Sequence, residues 1–115
     1  MRPMGSNDIT YSSVYITART EAEAVTIAKA LISERLAACA NIFNAVQSLY
    51  RWEGEVRVDT ETVLILKTRA ELLDALIRRA VELHSYDVPC VVSWPIHDGH
   101  EKYLDWIQAE TKTVP

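Results

Sequence analysis

The chain has 115 residues, of which 49% are hydrophobic and 24% charged, with a formal net charge of −4 and only three Gly and four Pro. That balance excludes a disordered or fibrous chain, and the length suits one domain with a single modest core. The acidic surplus leaves no basic face for phosphates, and no apolar run approaches the ~20 residues that span a bilayer, so neither nucleic acid nor membrane is an expected partner.

The opening "MRPMGSND" is polar, so residues 1–9 read as a flexible N-terminal tail and residues 10–115 as the domain. Without an apolar signal core, Cys39 and Cys90 read as reduced thiols and the expected location is cytoplasmic. Thr10 to Thr17, "TYSSVYIT", is rich in β-branched and aromatic residues and predicts a first strand. Thr20 and Glu23 then form a T-x-x-E capping box, and Ala24, Ile27, Ala28, Leu31 and Ile32 recur at helical spacing as far as about Arg35. "ACANIFNAVQSLYRW" and "VRVDTETVLILKT" flank a Gly-containing turn and predict a long hairpin. A second T-x-x-E box, Thr68 and Glu71, precedes Leu72, Leu73, Leu76, Ile77 and Ala80, which predicts another helix to about His84. "CVVSWPI" reads as the last strand, and Asp98 is positioned to cap a short helix carrying Tyr103, Trp106 and Ile107.

The order βαββαβα points to an α+β, ferredoxin-like sandwich: a four-stranded antiparallel sheet with two helices on one face, a long hairpin and a short C-terminal helix. Phe43, Val63 and Ile65 alternate against Ile42, Val46, Leu64 and Leu66, so both faces carry apolar side chains. A strand from Ala40 to Trp52 spans roughly 40 Å, whereas a compact domain of this size is only about 35 Å across. The tip with Tyr50, Trp52 and Gly54 must overhang the body, and an aromatic ribbon without a partner invites aggregation, which implies a homo-oligomer.

"ERLAACANI", "SLYRWEGE", "ETVLILKT", "LHSYDVPCV" and the spacing of Gly99, Tyr103 and Trp106 together resemble the CutA divalent-cation-tolerance family. The resemblance runs from about Val14 to Trp106. It implies a ferredoxin-like homotrimer joined through its sheets, involved in divalent cation tolerance, with copper(II) or another divalent cation as ligand, no organic cofactor and no catalysed reaction. It also implies that Glu61 and Lys67 stand near an intersubunit cleft with aromatic residues.

His84, Asp87 and Cys90 are all of metal-binding types, but H-x2-D-x2-C matches no standard zinc or copper spacing. His84 reads either as one metal donor or as a helix-end residue; Asp87 and Cys90 read as a turn acceptor and a small strand residue. Copper-binding members of the family carry a thiol on the first strand and paired histidines; the matching positions here are Ile16, Leu83 and His84, leaving one donor. Cys39, in a run of small residues, reads as packing, and His97 and His100 as loop residues. Glu61 and Lys67 share a strand face with Arg57 and Asp59. With Tyr50, Trp52, Tyr86, Tyr103 and Trp106 they form either a cleft for a small charged ligand or an interface ion pair among packing aromatics. No G-x-S-x-G, H-E-x-x-H, P-loop or dinucleotide fingerprint occurs, so an enzyme is not expected. The architecture also resembles that of the PII nitrogen-regulatory trimers, which makes a small-ligand sensor the alternative to a metal-binding protein, and a rigid scaffold the third reading.

Overall fold

The computed structural model describes residues 10–113; the tail expected at residues 1–9 lies outside them. The elements are β1 (Tyr11–Ala18), α1 (Glu21–Ser33), β2 (Cys39–Trp52), β3 (Glu55–Arg69), a 3₁₀ turn (Ala70–Leu72), α2 (Leu73–Leu83), β4 (Val91–Ile96) and α3 (Glu101–Glu110). The sheet order is β2-β3-β1-β4, antiparallel at every pairing, which is the ferredoxin-like arrangement.

Helix α1 starts where its capping box predicts. Thr20 Oγ1 accepts the Glu23 N–H at 3.1 Å, and the Glu23 carboxylate reaches back to the Arg19 N–H at 3.0 Å. At its other end Arg35 adopts φ 60°. The Leu36 and Arg35 N–H groups close onto Leu31 and Ile32 carbonyls, a Schellman ending with arginine in the place usually taken by glycine. The Arg35 side chain turns that exception to use by donating to the Ala109 and Glu110 carbonyls, thereby fastening the end of α3.

The second capping box does not form. Thr68 belongs to β3, paired with Ser12, and its buried hydroxyl donates to the Leu36 carbonyl at 2.6 Å. Glu71 instead pairs with the buried Arg69, and α2 begins only at Leu73 without a side-chain cap. Asp98 likewise does not cap α3: His100 holds that position, and Asp98 accepts the Gly99 N–H.

The core lies between the sheet and α1 and α2. Val14, Ile16, Leu64 and Leu66 from the sheet meet Ala24, Ile27, Leu31, Leu76 and Ala80 from the helices. On the opposite face α3 covers one end, where Leu104 and Ile107 pack on Tyr11 and Ala38. Beyond it Phe43, Val92 and Trp94 stay exposed, in keeping with a sheet apolar on both sides.

Strand β1 stops pairing with β3 at Thr62, so Val46–Trp52 and Glu55–Glu61 continue as a two-stranded ribbon, and the molecule measures 47 × 27 × 23 Å. Between Phe43 and Val46 the register slips: Asn44 and Ala45, the latter at φ 56°, oppose the single residue Thr62. This β-bulge reverses the alternation of β2. Val46 pairs with Glu61 and not with the core-facing set, a correction to the simple alternation of the sequence, and Ser48, Tyr50 and Trp52 follow it to the helix-free side.

Candidate functional site: a cleft at the base of the ribbon

Residues two apart in a strand share a face, so β3 presents Arg57, Asp59 and Glu61 side by side. The bulge swings Tyr50 and Trp52 of β2 to the same side. The Tyr50 hydroxyl donates to Asp59.

The third wall is the segment from Ser85 to Cys90, between α2 and β4. It is pinned from beneath: the Glu23 carboxylate accepts the Ser85 N–H at 3.0 Å, and the buried His84 accepts the Tyr86 N–H on Nδ1 at 3.1 Å while Nε2 lies 2.6 Å from the Thr17 carbonyl. These partners assign the neutral tautomer with its proton on Nε2. Burial works against the charge of Glu23, yet the hydrogen bonds from Ser85 and the Arg19 backbone outweigh it and hold the carboxyl below its ordinary range. Tyr86, so placed, donates its hydroxyl to Glu61 at 2.8 Å, and the Arg19 guanidinium lies 5.3 Å from its ring centre. Burial and that bond to Glu61 push the Tyr86 phenol up to about 12. Together these walls enclose an open cleft of about 800 Å³, within the usual range for small-molecule sites.

Four residues of the expected cleft therefore meet within the single chain: Glu61, Tyr50, Trp52 and Tyr86. Lys67, Tyr103 and Trp106 do not join them. Lys67 lies six residues along β3 from Glu61, roughly 20 Å away, and donates to Asn41 at 3.4 Å. Tyr103 stacks on Trp106 at 5.6 Å and its hydroxyl meets the Cys39 thiol at 3.3 Å, a contact that with burial raises the Tyr103 phenol to about 12. Cys39 is thus half-buried at the α3 end of the sheet, whereas Cys90 and Asp87 are exposed on the cleft wall, and His97 and His100 are exposed. Arg19 was the residue missed by pattern reading; its only signal was its position just before the capping threonine.

A metal needs lone pairs. The His84 Nδ1 lone pair is spent on Tyr86 and Nε2 carries the proton, and among the described residues no three His, Cys, Asp or Glu side chains come together as a metal-holding group. The donors among the described residues do not by themselves fit a divalent metal centre.

The CutA1 divalent ion tolerance protein family model matches residues 12–110. This chain belongs to the CutA family. The CutA divalent-cation tolerance protein of Thermus thermophilus is 48% identical over 98 residues, covering 85% of this chain and 95% of that protein. The chloroplastic CutA 1 protein of rice is 46% identical over 86% of this chain, which spans only 56% of that longer relative. Among solved structures, rice CutA1 superposes with a TM-score of 0.90 at 42% identity, covering 95% of this chain and all of that one. The periplasmic divalent cation tolerance protein CutA of Archaeoglobus fulgidus gives 0.86 at 39%, covering 89% and 99%. The chain thus has the CutA fold, with the cleft at the base of its ribbon.

Proposed function

We propose that this chain acts in the divalent-cation response as a cytoplasmic homotrimeric binding protein, not as an enzyme, with its working sites in the clefts at the base of the ribbons. The observation that carries the reading is the ribbon. Leu49, Val56 and Val58, on the face away from the cleft, are all exposed in the single chain, an apolar load that soluble proteins place against a partner. A neighbouring subunit is also the natural source of Lys67, Tyr103 and Trp106 for a cleft that holds only Glu61, Tyr50, Trp52 and Tyr86 of its own. The names of the family and its relatives support a link to divalent cations. Copper(II) is the first ion to test, and His84 is the candidate nitrogen donor. To bind, it must release the Tyr86 N–H or the Thr17 carbonyl, so the expected affinity is modest and further donors must come from outside the subunit.

Native mass spectrometry of metal-stripped protein, titrated with copper(II) and separately with zinc(II), reads subunit number and bound ions together. A threefold mass with saturable copper lost in His84→Ala supports the metal reading. A trimer that takes up no metal assigns the function to the cleft's small-ligand role, and a monomer refutes the proposal. Deleting Tyr50 to Glu55 should yield monomers or aggregates; an intact trimer would contradict the role given to the ribbon.

A further inference from the structure

Building on the proposal that the cleft is a ligand site, we infer that its ligand is a zwitterion with a flat aromatic body, of the aromatic α-amino acid type. Three features of one cleft carry this, each matching a different part of such a molecule.

The first is Arg19. Its guanidinium carbon lies over the Tyr86 ring, 5.3 Å from the ring centre, and among the described residues it forms no ion pair. Its N–H groups are thus left for an anion, and a carboxylate takes a guanidinium in two parallel hydrogen bonds. The second is the carboxylate pair. Asp59 and Glu61 are each held by a tyrosine hydroxyl on a single oxygen, Oδ2 and Oε2 respectively. Their other oxygens have no partner among the described residues, and a primary ammonium supplies the donors they lack. The third is the ring pair of Tyr50 and Trp52, 39% and 44% exposed, on the same wall. Open aromatic faces take a planar apolar body with little loss of side-chain freedom.

Each charged feature alone fits an anion or a cation. Their shared cleft decides between them, because Arg19, which has no ion pair among the described residues, lines the same cleft as Asp59 and Glu61, while Arg57 is engaged by Glu53. A ligand with one net charge leaves one set desolvated without a partner, whereas a zwitterion answers both.

The test is isothermal titration calorimetry of the full chain with three probes of one ring system: L-tryptophan, tryptamine without the carboxylate, and indole-3-propionate without the ammonium. Tryptophan should bind at least tenfold more tightly than either. Arg19→Ala should weaken tryptophan and indole-3-propionate, tryptophan about tenfold, and leave tryptamine unchanged; Glu61→Gln should weaken tryptophan and tryptamine and leave indole-3-propionate unchanged. Circular dichroism and native mass on the same samples confirm that the variants stay folded and assembled. A single-charge probe that binds as well as tryptophan, or variants that weaken all three probes equally, overturns the zwitterion and leaves the cleft a ligand site. Failure of all three probes to bind a folded, assembled protein overturns both.

Discussion

Replacing His84 by alanine separates a structural histidine from a metal donor, because the two roles predict opposite results in metal-free buffer. The substitution removes the Nε2–H bond to the Thr17 carbonyl and the acceptor for the Tyr86 N–H. Each is worth about 1 kcal/mol net. The ring also lies 4.7 Å from that of Tyr86, centre to centre, which adds roughly 0.5–1 kcal/mol. Since the side chain is only 8% exposed, little of this is recovered from water, and the total comes to about 3 kcal/mol per subunit. For a chain of this size that lowers Tm by roughly 12 °C at about 4 °C per kcal/mol.

The assay is urea and thermal unfolding in EDTA at one fixed protein concentration, because the stability of an assembly depends on concentration. His97→Ala, at an exposed position, is the control and should stay within about 0.5 kcal/mol. A loss below about 0.5 kcal/mol for His84→Ala would refute the structural account, all the more if copper uptake vanished at the same time.

Glu61→Gln should bring the Tyr86 phenol down from about 12 toward the ordinary tyrosine value, seen as one tyrosinate appearing earlier in an alkaline absorbance titration. Because that phenol is raised in the folded state, its contribution is complete below the unfolded value of about 10 and is lost as pH rises toward 12; Glu61→Gln should flatten this alkaline decline. Glu23 behaves in the opposite sense. Its lowered carboxyl stabilises the fold above the unfolded value of about 4.3 and ceases to do so as pH falls through the folded value, so Glu23→Gln should flatten the acid limb of urea-midpoint measurements. Arg35→Ala removes both donors to the end of α3 but keeps the left-handed turn; it should cost about 1–2 kcal/mol and speed amide exchange in α3 before the sheet is affected.

Most of the fold is legible because hydrophobic period and turn residues agree along the chain: each strand and helix falls within a few residues of its expected place. What escaped has definable causes. Thr20 and Thr68 stand in the same four-letter motif, yet only Thr20 follows a finished strand; β3 runs on through Thr68 because Ser12 pairs with it and the Leu36 carbonyl needs its hydroxyl. Local letters cannot report a partner 32 residues away. The bulge was invisible for a related reason, since nothing in "FNAVQ" marks Ala45 for a conformation that Gly or Asn adopts more readily. Alternation alone therefore placed Val46 on the wrong side. Of the seven residues that the family resemblance and the aromatic pattern assign to a cleft, the single chain unites four, because Lys67 and α3 sit at the far end of the sheet.

A two-residue rhythm has parity, and the extra residue at Asn44–Ala45 is where this chain changes it. The ribbon beyond can be lengthened or trimmed by matched residues at its tip without altering which side Tyr50 faces. Losing a single codon at Asn44–Ala45 would make the two strands equal in length between Phe43 and Trp52 and leave every later pairing in place, so Tyr50 would still face the cleft and Leu49 would still face away from it. The bulge thus changes the count along β2 without changing the pairing, and its loss would be felt in the local twist and not in which side the ribbon presents.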